Sequence, residues 1–463
     1  MDTTAGGARK SPSFMGHPIG LAWLSASEFW ERFAYYGAQP LIALYITQYL
    51  LKPGHVEQVI GYSALKGFIA FVYGAGLQPE QMGIAISGIY SALVYLTPIL
   101  GGLIAERWLG RTPTVVIGAV AMTVGQFLMA LDSGFVLGLV LLVLGVGCFK
   151  GNIASQVGDL YSLEDKRRAD AFLIYFMGIQ MAAIVTPLVC GTLAQKVDWH
   201  LGFVAAAVGM TIGLVIYLFG RKHYPPEPLH RKADAGARPK LTARDWNVIA
   251  LLVVLLPVLA LSTLGNQEIP GAYLIWGQKT FQTVFFGFSV PITWLVSIDA
   301  IVSAILMGIV IAFWRWWGRH WREPSELSKI ILGTLISALA PFLLAGAAAQ
   351  FQSSGQPVSL AWAIGFHVVN DTGFSIALPM GIALYSRVAP KGMGGVMIAV
   401  YYVSIFMSNF MVGKIGGWVA TMPGTQFWML HTALMAGAAG VLLVFRLLFG
   451  SLLAPPYDKP IAN

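Results

Sequence analysis

Charge is what this sequence has least of. Only 11% of its 463 residues are Asp, Glu, Lys or Arg, while 57% are hydrophobic and the mean hydropathy is +0.70. Soluble domains carry about 25% charged residues, so a water-soluble globular protein is excluded. Cysteine is nearly absent as well. Cys148 and Cys190 stand alone in separate apolar runs, which rules out a disulfide framework or a paired-cysteine metal site and leaves both as packing residues. No phosphate-binding glycine loop and no Ser-His-Asp arrangement stands out, so an enzyme is not expected, nor a bound metal or cofactor. The polar residues 1–17 carry no apolar stretch with a small-residue cleavage site, and no removable signal peptide is expected.

What is present is long hydrophobic runs. They fall near 18–51, 82–105, 113–131, 135–161, 168–195, 200–220, 246–276, 291–314, 327–350, 359–386, 391–420 and 426–449. A run of about 20 apolar residues spans the hydrocarbon of a bilayer, and the expectation is twelve transmembrane helices. VIGYSALKGFIAFVYG (59–74) is the ambiguous segment, since it is short and interrupted by Lys66. Short-loop Lys and Arg collect on the cytoplasmic side of membrane proteins. If 59–74 does not span, Arg107, Arg111, Lys166, Arg167, Arg168, Arg221, Lys222, Arg231, Lys232, Arg315, Arg319, Arg387 and Lys391 share that side; Lys52, Lys66, Lys196 and Lys279 fall outside. If it spans, the bias is inverted. The segment is therefore read as a periplasm-facing interfacial helix, with both termini cytoplasmic and the chain in the inner (plasma) membrane.

The net charge of +8 then belongs to the inner membrane face, where anionic headgroups attract it, and no nucleic-acid partner is implied. FWRWWGRHWRE (313–323) likewise reads as an interfacial Trp/Arg belt. The longest polar interruption, RKHYPPEPLHRKADAGARPKLTARD (221–245), divides the chain into six spans and six spans. The expected architecture is an all-α membrane protein of two six-helix bundles. Residues 1–220 form the first, with the interfacial segment at about 52–80; a basic cytoplasmic linker follows at 221–245; residues 246–463 form the second, with a short cytoplasmic tail. This is the layout of a transporter that rocks one bundle against the other around a midplane site. The symmetry rests on the count and the linker, because no residue-level repetition is visible between the halves. Oligomeric state is not readable.

Ionisable residues inside such spans cost about 2.5–3.5 kcal/mol each on insertion scales and face a bundle interior or a wet cavity. SEFWERFAYYG (27–37) holds Glu28, Glu31 and Arg32 at i, i+3 and i+4, on one helix face. Arg32 neutralises one carboxylate and leaves one over, which is the chemistry of a proton-binding site; the alternative is a structural ion cluster locking the first helix to its neighbours. Lys150, deep in the fourth span, needs a carboxylate partner too. With it the group becomes a switch: protonation of Glu28 or Glu31 releases Arg32 or Lys150 to bind a carboxylate, and proton loss re-forms the internal pair. Tyr35 and Tyr36 follow Arg32 by three and four residues and offer hydroxyl donors with aromatic faces.

The run E-x-x-E-R-F-x-Y-Y-G from Glu28 to Gly37 resembles the first-helix signature of the proton-dependent oligopeptide transporter family, within the major facilitator superfamily. GGLIAERWLGR (101–111) resembles the superfamily's loop between the second and third helices, with Glu106 where Asp is usual, and FKGNIASQVGDLY (149–161) resembles the family's fourth-helix lysine segment. The resemblance is strong over about 18–220. It implies the major facilitator fold and proton-driven symport of di- and tripeptides by alternating access. Arg32 and Lys150 would hold the peptide carboxylate, with contacts from Tyr35, Tyr36 and Tyr95. A related transporter of another small zwitterion or anion, and a non-transporting membrane sensor, are the alternatives.

Several positions depart from the family pattern. Gln39 stands where an arginine is common, and Gln180 replaces the fifth-helix asparagine. LGNQEIPGAYL supplies Asn266 and Gln267 where an acid-Gln pair is expected, with Glu268 just after and placed at the outer mouth. Asp299 occupies the eighth-helix Asn-Pro position, and Phe374 aligns with the tenth-helix glutamate that holds the peptide ammonium. Asp371, one turn earlier, is the candidate to take over that ammonium, and His367 at i−4 could share a proton with it. Gln39, Asn266, Glu268, His367 and Phe374 are thus secondary or gate candidates, and Gln180, Asp299 and Asp371 candidate substrate contacts.

Overall fold

The computed structural model describes residues 13–162, 164–225, 241–390 and 392–453. Most of the expected linker, and the expected tail beyond residue 453, lie outside these, as do Arg231, Lys232 and Lys391 of the charge bias. The chain is a succession of long helices. The first half comprises α1 (Gly20–Tyr45), α2 (Tyr62–Tyr73), α3 (Pro79–Ile104), α4 (Arg111–Met129), α5 (Phe135–Asp159), α6 (Arg167–Lys196) and α7 (Trp199–Gly220). The second comprises α8 (Ala243–Ser262), α9 (Leu264–Gln267) and α10 (Leu274–Thr280), which make one interrupted run, then α11 (Trp294–His320), α12 (Glu326–Ser354), α13 (Ala361–Arg387), α14 (Gly394–Ile415) and α15 (Gly424–Leu453). The run from α8 to α10 breaks where Gly271 leaves helical geometry at φ −118°, ψ −105°.

Among the described residues, ten helices are long and apolar enough to cross a membrane. The two long helices that fall short are α1 and α13. Polar side chains at mid-helix lower their hydropathy, Glu28, Glu31 and Arg32 in α1 and His367, Asn370 and Asp371 in α13. Both are nonetheless enclosed by the rest of the protein, which supplies the polar partners that lipid cannot. By contrast, α2 has 12 residues, about 18 Å at 1.5 Å per residue, well short of a bilayer core. Its Phe71 is exposed, and its Tyr73 hydroxyl donates to the Phe410 carbonyl at 2.8 Å.

A two-fold pattern that the sequence hides is plain in the packing. The third helix of each half lies along the fourth, α4 on α5 and α12 on α13, and along the sixth, α4 on α7 and α12 on α15. Glycine permits the close crossings: a Cβ on Gly118 would sit 2.7 Å from the Gly145 carbonyl, and one on Gly333 would sit 2.6 Å from that of Gly373. Even the ion pairs correspond. Arg111 at the start of α4 pairs with Asp159 at the end of α5, and Glu326 at the start of α12 takes a two-pronged contact from Arg387 at the end of α13, at 2.7 and 2.8 Å.

The two halves meet at one end. Lys279 reaches Glu80 at 3.0 Å, Gln48 bonds Gln278, Gln195 accepts from the Ile292 amide at 3.0 Å, and Trp294 donates to Thr192 at 2.8 Å. Lys414 donates to the Tyr73 carbonyl, so its ammonium is held by α2 rather than reaching free for the headgroups. In the core beneath, Ala43, Leu44 and Ile84 of the first half join Leu264, Tyr273 and Trp428 of the second. The end so joined is closed. A polar hollow of about 120 Å³ on its surface, lined by Gln48, Gln195, Lys196 and Gln278 among others, contains none of the sequence-predicted site residues.

Candidate functional site

The first-helix charges gather as their spacing requires. The Arg32 Nε lies 3.1 Å from Glu28 Oε1 and also contacts Glu31 Oε2. All three side chains are buried, with relative exposures of 2% for Glu28, 0% for Glu31 and 3% for Arg32. Both carboxylates use the Nε edge of the guanidinium. Arg32 Nη2, Glu28 Oε2 and Glu31 Oε1 are therefore buried without a hydrogen-bond partner. Such groups cost about 1–3 kcal/mol each, more when charged. A site carrying three of them is chemically incomplete as it stands.

Lys150 of α5 joins this cluster from the opposite wall. Its Nζ sits over the Tyr95 ring at 4.6 Å from the centroid, a cation–π contact, and it is near enough for its charge to act on Arg32, Glu31 and Glu28. Among the described residues no carboxylate is in ion-pair contact with it, so its expected partner is not in contact. The Arg32 guanidinium lies 5.1 Å from the Tyr35 ring centroid, and the Tyr35 and Tyr36 rings are edge to face at 5.3 Å. Tyr35 is buried, whereas Tyr36, Tyr95, Lys150 and Gln180 remain partly accessible. Across the gap, Tyr402 of α14 stacks on Tyr95 at 6.3 Å and is 38% exposed. Sequence reasoning passed over Tyr402, although its place in the Tyr401–Tyr402 pair was a signal of the same kind as Tyr35–Tyr36.

The second-half candidates are placed differently. Glu268 is not at an outer mouth: it is fully buried, its Oε1 is 3.0 Å from His431 Nε2, and Gly416 leaves it room. The break at Gly271 turns the chain just after Glu268, and α15 brings up the imidazole. His431 was missed because nothing local marks a lone histidine in an apolar run. His367 faces Asp299, Nδ1 to Oδ1 at 2.8 Å, and its Nε2 lies 3.0 Å from the Tyr273 hydroxyl. Asp371 is wholly enclosed, accepts from Asn370 at 3.1 Å, and has Oδ2 unpartnered. Gln39 donates to Ser91 at 3.2 Å, tying α1 to α3. Asn266 accepts from Gln267 at 3.4 Å, whose own carbonyl oxygen accepts from Asn409 at 2.9 Å. Phe374 is half-buried.

Residues 112–238 match the model of the POT family. That match excludes the first-helix signature, so the two observations are independent. A di-/tripeptide transporter of Lactococcus lactis subsp. cremoris is 28% identical, the alignment covering 85% of this chain and 88% of the relative. The peptide transporter YePEPT of Yersinia enterocolitica is 27% identical, covering 93% and 94%. A crystal structure of a POT peptide transporter in complex with sulfate superposes with a TM-score of 0.80 at 25% identity, covering 96% of this chain and 97% of that one. Over nearly its whole length the chain is similar to POT-family peptide transporters. It is an all-α transporter with the major facilitator fold, not an enzyme. A mutant POT peptide transporter solved with alafosfalin gives the same TM-score, 0.80, at 25% identity. The relatives and structures align along most or nearly all of the length of this chain, including its divergent second half.

Proposed function

We propose that this protein is a proton-coupled symporter that imports di- and tripeptides across the inner membrane by alternating access, with both termini in the cytoplasm. One observation carries the reading: the guanidinium of Arg32 is buried with Nη2 unpartnered while Lys150, across the same site, has only an aromatic face for company. A substrate carboxylate supplies the missing acceptor, and Arg favours such two-pronged recognition. Glu28 and Glu31 compete for the same guanidinium. When one is protonated its hold weakens and the carboxylate binds; when the proton leaves to the cytoplasm, the internal pair re-forms and the substrate is expelled. Tyr36, Tyr95, Gln180 and Tyr402 line the approach and offer aromatic faces and hydroxyl or amide groups to varied side chains. No cofactor besides the proton is required. The relatives named as peptide transporters support the substrate class.

A second reading has its own support. Asp371, the candidate for the peptide ammonium, is enclosed, and Phe374 takes the place expected for an acid. A ligand held through its carboxylate alone, another small zwitterion or anion, therefore fits the first-half site equally well. Reconstituted protein in liposomes distinguishes the two. Labelled dipeptide should accumulate when the outside is made acidic and should cease to do so with a protonophore. N-acetylated dipeptides competing as strongly as free ones would favour the second reading, and uptake indifferent to the proton gradient would refute both.

A further inference from the structure

The second bundle contains a cluster that the first-half switch does not use. Asp299 of α11, His367 and Asp371 of α13 bring one ligand atom each within 4.8 Å of one another. His367 and Asp371 are completely buried, and Asp299 alone keeps an accessible edge, with 19% of its side chain exposed. Among the described residues, the other titratable group facing the cluster is Tyr273, from the broken run between α9 and α10, whose hydroxyl meets His367 Nε2. From α12 comes neutral Ser337, donating to the Asn370 carbonyl at 3.0 Å. The Tyr401 ring of α14 packs beside Tyr385, further along α13. Among the described residues no lysine or arginine forms an ion pair with either aspartate.

The charge balance of such a cluster is restrictive. With both carboxylates ionised and the imidazole protonated it holds a net negative charge in a low-dielectric interior, and one more proton makes it neutral. Asp371 Oδ2 is buried with no donor to accept from, which is where that proton belongs. Asp299, bonded to His367 and exposed at its edge, is the way in and out.

We infer that Asp299, His367 and Asp371 form a second proton-binding site, in the C-terminal bundle, that loads and releases a proton during the transport cycle in addition to the one handled by Glu28 and Glu31. Only an O–H bond on a carboxylate forms and breaks, and the proton is exchanged with water at Asp299. The inference rests on the proton-driven reading above, and its test separates the two. In liposomes under a fixed pH gradient, proton and dipeptide fluxes are measured together. Each coupled proton supports about tenfold accumulation per pH unit, the equivalent of 1.36 kcal/mol. Asp371→Asn should lower the protons moved per peptide by about one and the accumulation ratio correspondingly, with Asp299→Asn as the second variant should the first fold poorly. In infrared difference spectra between acid and neutral pH, the parent should show a protonated-carboxyl band that is missing in Asp371→Asn, a readout that needs no transport. A parent that moves peptide without protons sinks the proton-driven reading. A parent that is coupled, with Asp371→Asn keeping the same stoichiometry and the same infrared band, overturns the second site alone. A divalent transition metal retained by the parent and lost by Asp371→Asn would overturn it in favour of metal ligation.

Discussion

At the scale of single residues, the protein separates groups that are satisfied from groups left waiting. Glu268 and His431 are both fully buried and meet at 3.0 Å, with only Glu268 Oε2 left without a partner. Replacing His431 with Ala strands a carboxylate in the core beside Trp428 and Phe427. Leaving a buried polar group without its partner costs about 1–3 kcal/mol, so His431→Ala should lower the thermal midpoint in detergent, and Glu268→Gln combined with it should recover part of the loss. If the single and double variants melt alike, the pair is not what holds α15 to the broken seventh span. Lys150 is the opposite case, a cation resting on Tyr95 without an ion-pair partner among the described residues. Truncating it to Ala should leave folding nearly unchanged and weaken dipeptide binding by about tenfold or more, since hydrogen bonds to charged groups contribute about 1.5–3 kcal/mol. Peptides with an amidated C-terminus should be insensitive to the change. An equal loss for amidated and free peptides would remove Lys150 from carboxylate recognition.

At the scale of helices, the closed end depends on small residues. A Cβ on Gly88 of α3 would stand 2.7 Å from the Gly413 Cα of α14, and one on Gly191 of α6 would stand 2.0 Å from Thr293 Oγ1. Both contacts exist only while the halves touch at this end, so glycine there is a condition of this closed state rather than of either bundle's fold. Gly88→Ala should therefore fold normally yet shift the resting population away from it. Spin-label pairs bridging the joined ends of α3 and α14 should report longer distances, and uptake should fall. Unchanged distances would mean that the crossing has slack to absorb a methyl group. Within each half the glycines do a different job, letting α4 lie on α5 and α12 on α13, and substitution there should impair folding instead.

At the scale of the whole molecule, the two halves repeat a packing plan but not a chemistry. In the first, two acids compete for one arginine with a lysine nearby. In the second, Asp299 bonds a histidine with Asp371 close by, and no arginine or lysine forms an ion pair with either acid among the described residues. Rocking of one half against the other therefore joins sites of unlike charge. The transport assay above, carried out at fixed membrane potential and at fixed pH gradient in turn, should show dependence on both forces, since the imported proton carries net charge inward. Dependence on the pH gradient alone would require a compensating counter-ion.

Composition and the spacing of charges were enough to determine the class of the protein, the number of its long helices and the clustering of the first-helix charges. Each of these follows from local rules: lipid demands runs of fixed length, and residues at i, i+3 and i+4 share a face whatever surrounds them. The second-half arrangement was decided by tertiary structure alone. Asp299 and His367 lie 68 residues apart, and Glu268 and His431 lie 163 apart. Only the crossing of helices set which buried polar group would find a partner, and which would be left to bind a proton.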